Sequence, residues 1–322
     1  MDSWKEWEGE DLKWEERNGV LIGTFHRPER CNALSLSLLR KLRSALIELE
    51  TRKEVRVLIL RGAGRHFSSG LDLQEASEGG ILLLPESEWT FPDRDGKTTI
   101  PLSSFQEYFR EMGKKGDEGD PVFGPLAKSG KESGEIRVPK SFYMPLLVTE
   151  ILYRLLTGPQ VVIVAATGGA FGGGGGILSV SDLAIADESL AVGFPELHRG
   201  LTPSLLHPFL RRRLSIDAMK SLLITGRPAT ASDALRFGLI QEVLPRQNGE
   251  NVLHRAEEVA KEILDAEPER LVRAKRLLNE ERIPPTEEIV CGVIDHWKSW
   301  LSDKAREGVL AFLEKRPPRW RE

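Results

Sequence analysis

The sequence has few cysteines and no long apolar run. Of its 322 residues, two are cysteine, Cys31 and Cys291, and they lie far apart in the chain. No disulfide framework is implied, and a reducing compartment is expected. The longest apolar stretch, Val161 to Ala166, is far shorter than the ~20 residues that a membrane-spanning helix needs. The sequence therefore predicts no membrane span and a cytoplasmic location.

An excess of charge of one sign is also missing. The chain has 45 Lys plus Arg and 49 Asp plus Glu, with a formal net charge of −4. This balance provides no global attraction to nucleic acid or to an anionic membrane. The six histidines are scattered, and none stands at ligand spacing from another His or from a Cys. We therefore expect no nucleic acid, no membrane and no metal among the binding partners.

The composition is that of an ordinary globular protein, with 40% apolar and 29% charged residues. Leucines and alanines recur with helical spacing from Leu38 to Leu49, and Ser35 or Ser37 can cap the start of this helix. Runs rich in valine, isoleucine and leucine predict strands at Val20–Phe25, Val55–Leu60 and Val161–Ala165. Leu183–Ala186 and Ala191–Leu197 are two further short strand candidates. The alternation of strands and helices predicts an α/β fold.

The pattern divides the chain into a core and a helical end. Residues 251–280 and 286–315 predict two amphipathic helices on either side of Pro284 and Pro285. We expect a core over 1–250 and a helical region over 251–322. The connection that follows Asp72 is too long for an ordinary loop. We predict an insertion over about 75–145, which is either a lid beside the turn from which it springs or a partly disordered excursion.

Two glycine-rich turns carry the clearest chemical signal. The strand at Val161–Ala165 runs into Gly168–Gly176, which ends in five consecutive glycines before a predicted helix. Such a turn exposes backbone N–H groups that suit an anion, although close packing of the helix on the strand is an alternative. It is not a nucleotide-phosphate loop, because Ile177 stands where Lys is required. A second turn lies at Phe67–Leu73, and no serine has the surroundings of a hydrolase nucleophile.

Taken in order, these turns and three further motifs resemble the crotonase superfamily, which includes enoyl-CoA hydratases and isomerases. The resemblance covers nearly the whole chain except about 75–145. It rests on R-P-x-x-x-N-A-L at Arg27–Leu34, F-x-x-G-x-D-L at Phe67–Leu73, the glycines of Gly168–Gly174 with Asp182, F-P-E-x-x-x-G-L-x-P at Phe194–Pro203, and T-G-x-x-x-x-A-x-x-A-x-x-x-G-L-I at Thr225–Ile240.

The resemblance implies a spiral of ββα units with a helical C-terminal oligomerisation region, assembled as trimers or hexamers. It implies a thioester substrate, either acyl-CoA or acyl-pantetheine, with coenzyme A as part of the substrate and no separate cofactor. The thioester oxygen would be held by the backbone N–H groups of Leu71 and Gly173 while an enolate forms. The residues expected near the CoA portion are Arg30, Cys31, His66, Ser69 and Gly70, of which Arg30 and His66 can equally be plain solvated side chains.

The acid/base residues depart from the pattern of similar hydratases, which carry two glutamates. Gly176 stands at the position of the first, and Glu196 matches the second. A single glutamate suits isomerisation, in which one base moves a proton between two carbons, so we expect Glu196 to be catalytic. The alternatives are a hydratase or thioester hydrolase whose second group is His198, a residue of the insertion or water, and a CoA-binding protein without catalysis. An RNA-binding relative is disfavoured by the charge balance.

Overall fold

The computed structural model describes residues 8–85, 90–92, 99–101, 135–246 and 249–321. Its strands are β1 (Leu12–Arg17), β2 (Val20–Phe25), β3 (Val57–Gly62), β4 (Ile81–Pro85), β5 (Thr90–Pro92), β6 (Thr99–Pro101), β7 (Glu135–Pro139), β8 (Val161–Ala166), β9 (Gly169–Phe171), β10 (Leu183–Asp187), β11 (Ala191–Gly193), β12 (Ala229–Thr230) and β13 (Glu242–Leu244). Its α-helices are α1 (Leu36–Leu49), α2 (Leu73–Ser77), α3 (Lys140–Thr157), α4 (Gly173–Val180), α5 (His207–Leu210), α6 (Ile216–Met219), α7 (Ala231–Arg236), α8 (Gly249–Leu264), α9 (Pro268–Asn279), α10 (Thr286–Trp300) and α11 (Asp303–Leu313).

A six-stranded sheet forms the centre, in the order β1-β2-β3-β8-β10-β13. The β1–β2 pair is antiparallel, and the other neighbours are parallel, with Val57 of β3 opposite both Val20 of β2 and Val161 of β8. The central strands are apolar at nearly every position and buried on both faces, as parallel sheets require. The predicted α/β fold is confirmed.

Alternate residues of the strands face two different layers. On one side, Val57 and Ile59 of β3 pack with residues of α8 such as Val252 and Ala256. On the other, Leu58 and Leu60 belong to the larger core that includes α1 and α3. The predicted boundary at residue 250 therefore falls near the start of a helix that covers the sheet.

A second sheet has three strands in the order β12-β11-β9, and its strand β9 is part of the glycine-rich turn Gly168–Gly176. β8 leads directly into β9, and β9 leads through Gly172 into α4, which begins at Gly173. This strand–strand–helix succession is one of the ββα units that the motifs predict. It brings the start of α4 to the edge of the small sheet.

The C-terminal region has more helices than the pattern predicts. The prediction of one helix over 251–280 and another over 286–315 is wrong, because each is split in two. Glu267 caps α9 and Pro268 occupies its first position, so α8 ends before them. Ser302 caps α11 in the same way, with its side chain accepting a bond from Ala305 N–H. The trimer or hexamer expected for this region stays a prediction.

The ends of the predicted insertion form an antiparallel pair. β4 pairs with β7, with Ile81 opposite Pro139, and α3 follows β7 directly. The short strands β5 and β6 pair with each other. Residues 86–89, 93–98 and 102–134 lie outside the described residues, and the predicted lid falls largely on them.

Candidate active site

The two glycine-rich turns meet at the edge of the small sheet. Ser68 connects them by two backbone hydrogen bonds: its N–H donates to Gly169 O at 3.0 Å, and its carbonyl oxygen accepts from Phe171 N at 2.9 Å. Gly70 has a φ of +87°, and a Cβ there would lie 2.6 Å from Phe171 O and 3.2 Å from Gly173 N. A side chain at residue 70 would therefore push the turns apart.

This contact brings two backbone donors, Leu71 N–H and Gly173 N–H, to one cavity. Leu34 bonds to the residues on either side of Leu71, with Leu34 N donating to Gly70 O at 2.8 Å and Asp72 N donating to Leu34 O at 3.1 Å. Gly173 is the first residue of α4, where an N–H has no partner within the helix. Neither N–H bonds to another residue in the part of the chain that the structure describes.

The cavity has a volume of about 510 Å³, and Leu71, Gly173 and Glu196 all line it. It is bounded by the segments around residues 29–34 and 69–74, by 195–206, and by α10 and α11. Two N–H groups directed at one point can hold an oxygen on which negative charge develops. The geometry therefore brings the three predicted catalytic residues to one site.

Glu196 lies on a 3-10 turn, Glu196–Arg199, that replaces the strand predicted over residues 191–197. That prediction was wrong beyond Gly193, because Pro195 and the left-handed Gly200 bound a tight turn. Although the residue is half-buried, its Oε2 is buried and has no hydrogen-bond partner among the described residues. Oε1 lies 3.4 Å from where a Cβ at Gly172 would stand, so the carboxyl group faces the glycine turn.

Burial raises the pKa of Glu196 from 4.5 to about 7, and a backbone hydrogen bond and the Arg199 charge oppose that rise. A carboxyl group with such a pKa holds or releases a proton near neutral pH with little cost in either direction. This is the behaviour required of a group that takes a proton from one atom and returns it to another.

Arg199 is a neighbour of Glu196 that the sequence analysis missed. Its guanidinium lies 4.1 Å from the centre of the Phe312 ring and donates to Pro195 O at 3.1 Å, which holds it at the cavity wall. Gly308 of α11 fits against the same turn, since a Cβ there would lie 2.4 Å from the Arg199 carbonyl oxygen. The C-terminal helix thus closes one side of the site.

Gly176, at the position of the missing glutamate, is surrounded by leucines. A Cβ at this residue would lie 3.0 Å from Leu206 Cδ2 and 3.2 Å from Leu152 Cδ1. Two aliphatic side chains therefore occupy the space beside α4 into which a longer side chain would project. A carboxylate at residue 176 would meet apolar atoms there.

Of the residues expected near coenzyme A, Arg30, Cys31 and Ser69 line the cavity. The Arg30 guanidinium donates to Gln74 Oε1 at 2.9 Å, and its side chain is 43% exposed, so it remains accessible from solvent. His66 and Gly70 are not among the lining residues in the described ranges. His66 Nδ1 accepts a bond from Gly169 N at 2.8 Å and thereby supports the glycine turn.

Two histidines differ from what the sequence indicates. His198, considered as a second catalytic group, is exposed beside Gly226 and is not among the described lining residues. His296 of α10, which no sequence motif includes, is buried and lines the cavity. Its position on an amphipathic helix far along the chain gave no signal that it faces this site.

Among the described residues, no helix has both the length and the apolar character needed to cross a membrane.

The sequence model of the family described as enoyl-CoA hydratase/isomerase matches residues 15–93 and 142–322. A Mycobacterium tuberculosis protein described as enoyl-CoA hydratase EchA19 is 30% identical over 314 residues, which cover 96% of each chain. The carnitinyl-CoA dehydratase of Salmonella typhi is 28% identical, over 95% of this chain and 96% of its own.

Solved structures give the same fold. A putative enoyl-CoA hydratase from Mycobacterium avium paratuberculosis superposes with a TM-score of 0.69 at 21% identity, over 97% of this chain and 99% of its own. The carnitinyl-CoA hydratase of Mycobacterium avium superposes with a TM-score of 0.67 at 25% identity, over the same shares. The predicted crotonase-like arrangement of ββα units is confirmed.

Proposed function

This chain belongs to the enoyl-CoA hydratase/isomerase family, and on that premise we propose that it moves a carbon–carbon double bond within an acyl-CoA thioester. The observation that carries this proposal is the position of Glu196, whose buried Oε2 has no hydrogen-bond partner among the described residues. Glu196 lines one cavity with Leu71 and Gly173, whose N–H groups likewise bond to no described residue. Residue 176, where similar hydratases carry a second glutamate, is a glycine packed against leucines. Glu196 therefore acts in the cavity without a second glutamate.

In the proposed reaction, the thioester oxygen accepts hydrogen bonds from Leu71 N–H and Gly173 N–H. The Glu196 carboxylate removes a proton from C2 of a 3-enoyl thioester, and the C–H electron pair becomes part of a dienolate whose charge rests on the held oxygen. The C3–C4 π pair then takes the same proton at C4, which leaves the double bond between C2 and C3. Each donor directed at the developing oxyanion is worth about 3 kcal/mol in related chemistry.

Coenzyme A enters this account as part of the substrate. Arg30 lies at the cavity with an exposed side chain, where its charge suits a phosphate of the CoA portion. An acyl group on a carrier-protein pantetheine has the same thioester and lacks the nucleotide.

The experiment that tests this proposal separates the possible products. Purified protein is incubated with 3-hexenoyl-CoA, 2-hexenoyl-CoA, 3-hydroxyhexanoyl-CoA and hexanoyl-CoA, and products are identified by mass and NMR. We expect 3-hexenoyl-CoA to become 2-hexenoyl-CoA without a change in mass. Gain of one water by 2-hexenoyl-CoA as the dominant reaction, or release of free CoA, would overturn the assignment.

Hydration is the second candidate, because the relatives are described as hydratases and as a carnitinyl-CoA dehydratase. It needs a group that holds and deprotonates water in addition to the group that delivers a proton. The same panel of substrates decides between the two, since hydration changes the mass of the product.

Arg199→Met is expected to move the pH profile of the reaction. Proton removal needs the carboxylate form, so kcat/KM for isomerisation in the wild type rises with pH through about 7, the pKa of Glu196. Loss of the Arg199 charge raises that pKa, and the rise in kcat/KM moves to higher pH. The control is Arg199→Lys, which keeps the charge and loses the stacking on Phe312. Equal profiles for both variants would contradict this role.

Gly176→Glu is expected to destabilise the protein and not to create a hydratase. The added side chain presses on Leu206 and Leu152 and places a carboxylate among apolar atoms, at a cost of about 2–5 kcal/mol. Gly176→Ala, the matched control, meets the same contacts with Cβ alone and costs about 1 kcal/mol or less. Urea unfolding measures both, and a Glu variant as stable as the Ala variant would show that the site accepts a second carboxylate.

A further inference from the structure

The buried part of the cavity wall is almost wholly apolar. Its residues belong to α3 and to the segment that follows the Glu196 turn, and they are at most 9% exposed: Val148, Leu201, Leu205 and Leu206. Such a wall suits the hydrocarbon part of an acyl group. Any polar group among these residues is therefore placed to recognise a polar substituent on that chain.

Two titratable side chains lie among the buried lining residues in the described ranges, Asp72 and His296. The negative charge of Asp72 is balanced by two ion pairs, because Arg27 lies 3.1 Å and Arg30 3.4 Å from its carboxylate oxygens. His296, which is 5% exposed, forms no ion pair with any described residue, and its ring contacts the Thr202 carbonyl oxygen. It is thus the polar side chain that remains available on this wall.

The hydrogen bonding of His296 fixes which of its nitrogens is free. Nδ1 lies 3.4 Å from Thr202 O, and a carbonyl oxygen only accepts, so the ring proton is on Nδ1. Nε2 then carries a lone pair, and no described residue donates to it. Burial lowers the pKa of His296 to about 4, against the opposing effects of the Thr202 carbonyl and Asp295, so the ring is neutral near pH 7.

We propose that His296 determines substrate specificity by accepting, at Nε2, a hydrogen bond from a hydroxyl group on the acyl chain. This inference rests on the proposed function and names its substrate class, an acyl-CoA that bears a hydroxyl group beyond the carbons that react. C2 to C4 take part in the proton transfer, so the hydroxyl group stands further along the chain. A site that offers a lone pair in an apolar wall favours a hydroxyl donor and discriminates against the plain hydrocarbon.

The experiment measures binding of saturated thioesters, which have no double bond to move. The affinities of hexanoyl-CoA and of 5-hydroxyhexanoyl-CoA and 6-hydroxyhexanoyl-CoA are compared by calorimetry on the wild-type protein. We expect one hydroxylated isomer to bind about 10-fold more tightly than hexanoyl-CoA or better. Equal or weaker binding of both hydroxylated isomers to the wild type overturns the inference without any variant.

His296→Leu keeps a side chain of similar width and removes the acceptor. We expect it to abolish the preference for the hydroxylated isomer while hexanoyl-CoA binds as to the wild type or more tightly, whereas His296→Gln, whose carbonyl accepts, retains part of the preference. A preference that survives unchanged in the Leu variant overturns the role of His296. If hexanoyl-CoA itself fails to bind the wild type, the proposed function is wrong and this inference falls with it, so the two failures are distinguishable.

Discussion

Glu196→Gln is expected to lower kcat for double-bond isomerisation by about 10²-fold or more, the usual scale for loss of a positioned general base. The amide has the size of the carboxyl group and cannot take a proton from C2. Binding of acyl-CoA is expected to stay near that of the wild type, because the cavity wall is otherwise unchanged. Steady-state rates with 3-hexenoyl-CoA, together with calorimetric affinities, measure the two effects separately.

The same substitution is expected to change the free energy of unfolding in a way that depends on pH. The folded protein raises the pKa of Glu196 from 4.5 to about 7, so the charged form costs the native state up to about 3 kcal/mol above pH 7 and nothing below pH 4.5. Glu196→Gln is therefore expected to raise the free energy of unfolding at pH 8 more than at pH 5. The control is Glu287→Gln, at an exposed carboxyl group at the start of α10. It is expected to leave the rate unchanged and to lower the free energy of unfolding by at most about 1 kcal/mol, the loss of one charge beside the helix N-terminus. Wild-type rates in Glu196→Gln would contradict the mechanism.

Gly173→Pro is expected to lower kcat by about 10²- to 10³-fold, the scale for loss of one oxyanion donor. Proline has no N–H, and the first position of an α-helix is where proline is best accepted, so α4 still begins at this residue. The substitution therefore removes the donor and keeps the helix. Measurement of kcat and KM with 3-hexenoyl-CoA reports the loss.

Gly173→Ala is the matched control for that variant. Both substitutions place a Cβ at residue 173, 3.0 Å from Leu34 Cδ1, and the alanine keeps the N–H. A small effect of Ala beside a large effect of Pro assigns the loss to the replacement of the N–H hydrogen by the ring Cδ, and not to the Cβ. If the two variants have equal kcat, crowding against Leu34 explains the loss and the N–H has no catalytic role.

The parts of this molecule that depend on local sequence could be predicted from it. The capping role of Ser35 is confirmed, because a serine before a helical run of leucines acts through its own side chain. The buried strands follow from unbroken apolar runs, and the two glycine-rich turns are evident from their own residues. These features need no knowledge of distant contacts.

The features that depend on distant contacts could not be predicted. Arg199 owes its position to Phe312 of the last long helix, and His296 bonds to Thr202 across 94 residues of chain. Helical periodicity shows that one face of such a helix is apolar and does not show what that face covers. The helix breaks before Pro268 and Ser302 did have local signals, in a proline at the first helical position and a capping serine, which the amphipathic pattern obscured.

The central claim is that Glu196 itself carries a proton from C2 to C4 of the substrate, and isotope transfer tests it most directly. The wild-type protein converts 3-hexenoyl-CoA that carries two deuterium atoms at C2, in ordinary water, and the product is examined by NMR. Because Oε2 of the carboxyl group is buried, we expect deuterium at C4 of the 2-hexenoyl-CoA product in a measurable fraction of molecules. If the one hydrogen that C4 gains comes from solvent in every product molecule, the claim is contradicted.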